Sequence, residues 1–290
     1  MNDRPSGLIQ RAAERLRQQP REAGVLTAPA PTLVAPPLSA VPAEGQRTSR
    51  EVKIDRQRLA KHGITFAVTE RSRIAEEFRI ILRQILAKSQ ALEVSSEGAS
   101  SARLIMITSA RPREGKTFTA INLALAIASQ RDFRVLAMDC DVERQSLTSV
   151  LGIDVETGLF DVLEDDRLDM RDTLLRTDIP NLTVLPAGRK RPGVPELLSS
   201  RRMRDVLSEM AHRYADRYII IDAPPCLATS DPSILASMVG QIVFVVEANR
   251  TQEPEIEESL RLISTCPNIS LVLNKMDGAS SEHFGSYGYY

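Results

Sequence analysis

Beyond residue 100 the chain alternates two hydrophobic patterns. Short runs of consecutive Val, Ile, Leu and Met are separated by longer stretches whose apolar positions recur every three or four residues. The runs predict strands at Leu104–Thr108, Arg134–Met138, Leu182–Leu185, Tyr218–Ile221, Gln241–Val246 and Ser270–Leu273. The periodic stretches predict helices at Thr117–Gln130, Pro195–Arg213, Ser230–Met238 and Glu253–Thr265. Strands without polar alternation belong in a sheet covered on both faces, and regular strand–helix alternation makes that sheet parallel. The fold class expected is α/β, a mostly parallel twisted sheet flanked by helices. A further helix starts near residue 70, where Ile74, Phe78, Ile81 and Ile85 share one face, and the Ser/Gly-rich SSEGASSA ends it.

Both ends of the chain lack this patterning. Pro20, Pro29, Pro31, Pro36, Pro37 and Pro42 punctuate a stretch of small residues with too little apolar surface to offset chain entropy, so residues 20–50 are expected to be a disordered linker. Upstream, Leu8, Ile9, Ala12 and Leu16 recur at helical spacing among Arg11, Arg15 and Arg17. That segment reads as a weakly helical solvated tail, or as a basic amphipathic helix for a partner or anionic lipid. The last twelve residues, ASSEHFGSYGYY, form a Gly/Ser-rich tail with no core pattern. The expected division is an N-terminal arm over 1–60, one domain over 61–278 and a tail over 279–290.

The strand Leu104–Thr108 leads through a turn to Gly115-Lys116-Thr117 and directly into a helix. This order is how a P-loop holds phosphate: backbone N–H groups and the helix N-terminus face the oxygens, the lysine reaches the β- and γ-phosphates, and the threonine hydroxyl ligates Mg²⁺. Arg113, Glu114 and Phe118 flank this cradle as further nucleotide contacts. Two apolar strands then end in acid: Arg134–Met138 runs into Asp139-Cys140-Asp141, and Tyr218–Ile221 into Asp222-Ala-Pro224-Pro225. Carboxylates at the carboxyl ends of parallel strands sit where open α/β sheets bind ligands. Asp222 fits a Walker B carboxylate, with Thr117 and Asp139 the other metal candidates. Asn274, after the last strand, is a candidate base-pocket amide, and Arg144 a candidate phosphate neutraliser. Two loop positions depart from the P-loop pattern: Ala110 stands at its first glycine, and Arg113 is tolerable where φ stays negative.

Composition adds mainly exclusions. A net charge of -1 over 290 residues gives no global drive toward nucleic acid, and none is expected as a partner. Cys140, Cys226 and Cys266 are odd in number and show no metal-ligand spacing, which suits a reducing cytoplasm. No apolar run approaches the ~20 residues of a membrane span. Of five tyrosines, Tyr287, Tyr289 and Tyr290 fall within the last four residues, where they cannot pack a core.

Together these motifs resemble the bacterial tyrosine autokinases of exopolysaccharide and capsule synthesis, P-loop enzymes related to the cell-division and partition ATPases. Ser109, Pro112, Glu114, Gly115, Lys116 and Thr117 match the family's Walker A; Asp139, Asp141 and Arg144 its second acidic motif; Asp222, Pro224 and Pro225 its Walker B. Pro195-Glu196-Leu197-Leu198 partly matches a further segment. The stretch IAEEFRIILRQ and the long arm are similar to the autokinases of exosortase-associated systems. The oligomerisation motif E-x-x-R-x-x-R is met by Glu76 and Arg79, with Leu82 at its last position and Arg83 one place late. Arg111 stands where partition ATPases carry their signature lysine.

The resemblance implies an ATP- and Mg²⁺-dependent protein-tyrosine kinase that phosphorylates its own tail at Tyr287, Tyr289 and Tyr290, in trans within a homo-oligomer. Lys116, Asp139, Asp141 and Asp222 would be catalytic, with Asp139 or Asp141 the base. It also implies a membrane polysaccharide co-polymerase as activator, recruiting a cytoplasmic chain to the membrane, and a cognate tyrosine phosphatase. The alternatives are a partition-type switch ATPase and a weakly catalytic nucleotide-bound scaffold.

Overall fold

The computed structural model describes residues 50–64, 73–94, 101–213 and 217–276. Its centre is a sheet of β1 (Glu51–Val52), β2 (Leu104–Ser109), β3 (Arg134–Asp139), β4 (Leu175–Thr177), β5 (Leu182–Leu185), β6 (Arg217–Asp222), β7 (Gln241–Glu247) and β8 (Ile269–Asn274). The spatial order is β1-β4-β5-β3-β6-β2-β7-β8, with every neighbouring pair parallel except β4–β5. The helices are α1 (Arg56–Lys61), α2 (Arg73–Val94), α3 (Lys116–Ala128), α4 (Ser146–Leu151), α5 (Leu159–Glu164), α6 (Met170–Thr173), α7 (Val194–Ser199), α8 (Arg201–Arg213), α9 (Asp231–Ala236) and α10 (Glu253–Leu262).

The sheet is covered on both faces, as the unbroken apolar strands require. Ile105, Ile107, Val135, Ala137 and Ile220 pack with Phe78 of α2, Ile121 of α3 and Leu151 of α4. Their sequence neighbours Met106, Leu136, Met138, Ile219 and Ile221 pack on the other side with Leu198, Leu207 and Leu235 of α7, α8 and α9. Strand β2 lies between β6 and β7, and β3 lies on the far side of β6. The carboxyl ends of β2, β3 and β6, which carry the P-loop and the acidic residues, therefore stand side by side.

Three expectations need correction. The folded region begins near residue 50, not 61: β1 pairs with β4, Asp55 caps α1 by accepting from the Arg58 N–H at 2.9 Å, and Ile54, Leu59 and Ile64 are buried. Apolar residues five apart give neither helical nor strand periodicity, so the segment reads as part of the arm. The stretch Pro195–Arg213 is two helices, because Ser200 is extended (φ -63°, ψ 157°) and its Oγ caps α8 by accepting from the Met203 N–H. The buried stripe of α2 is Ala75, Phe78, Leu82, Ile85 and Ser89, with Ile74 and Ile81 only half-buried beside it.

Leu59 is 1% exposed within the layer that holds Phe78, Ile121 and Leu151. Leu59→Ala is expected to cost about 2–5 kcal/mol in urea denaturation, the range for a buried leucine. A loss near zero would show that the 50–64 segment is not part of the cooperative core.

Candidate nucleotide site

Strand β2 ends at Ser109 and α3 begins at Lys116, so residues 110–115 make the whole turn. Gly115 takes a left-handed φ of 101°, and a Cβ there would run into the Asn274 amide. Gly115→Ala therefore meets both backbone strain and a collision. It is expected to lower stability of the nucleotide-free protein by roughly 1–3 kcal/mol, read from thermal unfolding. An unchanged midpoint would mean that Asn274 does not cover the loop. Ala110 is fully buried and its φ is not positive, so the missing glycine costs no backbone strain. Arg113 is different. Its φ is 69°, in the left-handed region, which corrects the expectation of an unstrained residue there.

The loop is held from the far end of the chain. Asn274 Nδ2 donates to the Glu114 carbonyl at 2.9 Å, and Lys275 Nζ donates to the Arg113 carbonyl at 2.7 Å. The Glu114 side chain is buried, accepting from the Arg111 N–H at 2.8 Å and from the Thr251 hydroxyl. Glu114 and Asn274 thus brace the loop in this conformation. Arg111, at the signature position, is committed to Glu255 of α10 by an ion pair. Thr251 and Glu255 have no motif of their own in the sequence, and Lys275 stands out there only as the neighbour of Asn274.

The acidic residues meet Lys116 because of strand register. Asp139 and Asp222 are Cα partners at the ends of β3 and β6. Lys116 Nζ lies 2.9 Å from Asp141 Oδ2 and 3.7 Å from Asp222 Oδ1, and Thr117 Oγ1 donates to Asp222 Oδ2 at 2.7 Å. Asp139 is fully buried: Oδ1 accepts from the Asp141 N–H at 3.1 Å, and Oδ2 faces the Thr148 N–H at 3.3 Å. Burial, then the Asp222 charge, pushes the Asp139 carboxyl up to about 8. Burial also raises the Asp222 carboxyl, against the lowering pull of Lys116. For Lys116, burial alone would lower the pKa, but Asp222 and Asp141 outweigh it and hold the ammonium above its ordinary value.

This cluster fits Mg²⁺. Asp222 Oδ1 is buried without a hydrogen-bond partner, and the Thr117 hydroxyl sits on the other oxygen. Hydroxyl plus carboxylate is the donor set of a Mg²⁺ that completes its shell with phosphate and water. Among the described residues no three His, Cys, Asp or Glu side chains converge as a protein-only metal cage would require. Asp231, which the sequence reading did not single out, is 6% exposed with its Oδ1 unpartnered, and burial, with the Asp141 charge adding, raises its carboxyl.

A cavity of about 210 Å³ opens beside the cluster. It is lined by Arg113, Gly115, Lys116, Thr117 and Phe118 of the P-loop, by Arg144 and Ser146, and by His62 and Ile64. Phe118 also packs edge-to-face on Phe78, with centroids 6.0 Å apart. A larger cavity of about 640 Å³ lies between residues 166–171 and α8, but holds none of the P-loop residues and none of Asp139, Asp141 and Asp222. Glu76, Arg79 and Arg83 lie on the exposed side of α2, with Arg79 2.6 Å and Arg83 4.0 Å from Glu76. Position 82, where the motif would place an arginine, is a buried leucine. Tyr287, Tyr289 and Tyr290 lie outside the described residues. No helix among the described residues is long and apolar enough to cross a membrane.

A family model described as an AAA domain matches residues 102–269. The tyrosine-protein kinase YwqD of Bacillus subtilis (strain 168) is 32% identical over 186 residues, which cover 64% of this chain and 76% of that protein. The tyrosine-protein kinase ptk of Acinetobacter johnsonii is 34% identical over 163 residues, 56% of this chain but only 22% of the longer relative. Among solved structures, the chimerical protein CapA2B2 superposes with a TM-score of 0.63 at 25% identity, covering 78% of this chain and 93% of that one.

Proposed function

The chain belongs to the bacterial tyrosine-protein kinase family, and from that premise we propose that it is an ATP-dependent protein-tyrosine autokinase of exopolysaccharide synthesis and export. The observation carrying this reading is the single buried cluster of Lys116, Thr117, Asp139, Asp141 and Asp222 at three adjacent strand ends. Phosphoryl transfer asks the protein mainly for positioning and charge stabilisation, and this cluster supplies both.

Each residue has a distinct task. Thr117 and Asp222 would hold Mg²⁺, with Asp139 behind them; the ion, when bound, neutralises charge on the phosphate oxygens. The backbone of residues 113–117 and the N-terminus of α3 cradle the phosphates. Lys116 donates to Asp141. Moving that ammonium onto phosphate frees Asp141 beside the reacting group, which favours Asp141 over the internally bonded Asp139 as acceptor of the phenol proton. Tyrosine has an ordinary pKa of about 10, so the carboxylate assists late in the transfer.

The acceptors proposed are Tyr287, Tyr289 and Tyr290, phosphorylated in trans within a homo-oligomer to which Glu76, Arg79 and Arg83 contribute. A membrane polysaccharide co-polymerase would activate the site and recruit the chain to the inner face of the membrane, and a tyrosine phosphatase would reset it. The test is incubation of the full chain with Mg·ATP, with and without the co-polymerase's cytoplasmic segment, followed by phosphosite mapping. Phosphate on the three tail tyrosines supports the kinase. ATP hydrolysis without phosphotyrosine supports a switch ATPase, and neither activity supports a scaffold.

A further inference from the structure

The sheet has two edges, and only one is guarded. Edge strands normally carry charge, proline or a bulge, or stay very short, because their unpaired N–H and C=O groups invite another strand. Strand β1 meets that need with two residues, one of them Glu51. Strand β8 does not: I-S-L-V-L-N is six residues without charge, proline or glycine, last in the sheet, with β7 its partner among the described residues. None of its residues is buried, and Leu271 is 44% and Leu273 38% exposed. The Ile242 N–H donates to the Asn268 carbonyl at 2.9 Å, and the Ala248 N–H to the Asn274 carbonyl at 2.9 Å. Successive residues of a strand bond to opposite sides, so Ser270, Val272 and Asn274 serve β7, and the N–H and C=O groups of Ile269, Leu271 and Leu273 face outward. The side chains of these three also share one sheet face. A strand added here gains backbone partners and apolar contact together.

The chain that follows β8 has a matching sequence. Residues 277–290 lie beyond the described part, starting three residues after Asn274. Strand β8 gives way at Lys275, whose φ of 58° is left-handed, and Asp277-Gly278 is a preferred turn pair. A four-residue turn over 275–278 sets Ser280 opposite Leu273, Glu282 opposite Leu271 and Phe284 opposite Ile269, each at an outward-bonding position. Phe284 is the one large apolar residue of 277–290 besides the three tyrosines, and this register places it on the face that bears Leu271 and Leu273.

We propose that the outer edge of β8 is a docking site for the chain's own residues 279–284, added as an antiparallel strand, and that this docking withholds the tail tyrosines from transfer. The withholding role rests on the acceptor reading above; the docking does not. Strand addition draws its strength from backbone hydrogen bonds and its selectivity from alternate side chains. The tether holds the segment at an effective concentration on the order of millimolar, so a few such bonds and one covered phenylalanine suffice. Asn274, at one end of β8, bonds the P-loop at the Glu114 carbonyl. Ile269, at the other end, stands about 17 Å away, at roughly 3.3 Å per residue. A docked segment runs from the first end to the second, so Tyr287, Tyr289 and Tyr290 follow on the side away from the phosphate cradle. Release makes them available to a neighbouring copy.

The test is amide hydrogen exchange of the full chain, read at Leu271 and Leu273, in the unmutated protein, Phe284→Ser and Leu271→Lys. Both variants should speed exchange at the edge by about three- to fivefold, the weight of one lost cross-strand apolar pair. With Mg·ATP added, both should raise the initial rate of tail phosphorylation by a similar factor and leave ATP affinity unchanged. Leu271→Lys alters β8 itself, whereas Phe284→Ser changes no residue of the described fold and keeps the test clean. Fast exchange at both amides in the unmutated chain, or unchanged exchange in Phe284→Ser, overturns the docking. Protection that grows with protein concentration overturns it as well, by placing a second copy on the edge. Faster exchange without faster phosphorylation overturns the withholding role. A protected edge in a chain that never acquires phosphotyrosine overturns the acceptor reading and leaves the docking standing.

Discussion

Lys116→Ala is expected to abolish tail phosphotyrosine, lowering the transfer rate by a factor of about 10³ or more, the scale on which charge-stabilising groups act at such sites. Lys116 is 4% exposed and is the one ammonium inside a cluster of three carboxylates, within 4 Å of two of them. Removing it takes away the charge that would meet the γ-phosphoryl oxygens. It also leaves Asp141 and Asp222 buried without a counter-charge. Breaking one partner out of a buried pair costs about 3–5 kcal/mol, so the variant should be less stable as well as inactive. The two effects separate by measurement: phosphosite mapping reads the first, and urea denaturation the second. Arginine should not rescue activity, because a planar, forked guanidinium does not fit a site built around a compact ammonium. Tail phosphorylation at the unmutated rate in Lys116→Ala would overturn the assigned role.

What could be read from sequence was whatever is local. The P-loop, Asp139-Cys140-Asp141 and Asp222-Ala-Pro-Pro each follow an apolar strand within a few residues, so their placement at strand ends needs no tertiary information. The register that sets Asp139 against Asp222 follows once those strands are neighbours. Contacts over long sequence separations were not legible. Glu114 looks like a nucleotide contact in its motif, but its buried carboxylate is occupied by Arg111 and Thr251, the latter 137 residues away. Backbone conformation was equally hidden: nothing in R-P-R-E-G announces that Arg113 adopts φ 69°. The 50–64 segment is not legible because its core residues are sparse, although His62 and Ile64 line the cavity beside the P-loop. The missing arginine at position 82 has a packing reason that only the buried face of α2 reveals.

The acidic cluster also makes stability depend on pH in an unusual direction. In the metal-free, nucleotide-free protein, raising the pH from about 5 to about 9 is expected to lower stability by a few kcal/mol, at roughly 1.4 kcal/mol per pKa unit. Asp139 titrates near 8 when folded, because burial and then Asp222 disfavour its charge, against an ordinary value of 3.8. Between those values the folded state holds a proton that the unfolded state has released. Stability therefore falls as pH rises across that window and levels off above it. Asp222 and Asp231 are shifted in the same direction and add to the slope. Lys116 does not add to it, since its pKa is raised from an ordinary 10.5 and the ammonium stays charged throughout. Urea midpoints at successive pH values measure the curve. Asp139→Asn, a neutral isostere of the protonated acid, should flatten it and be the more stable protein near pH 9. Mg·ATP should flatten it too, by adding positive charge where the carboxylates must ionise. A level profile in the unmutated chain, or an unchanged slope in Asp139→Asn, would show that Asp139 is already charged in the folded state.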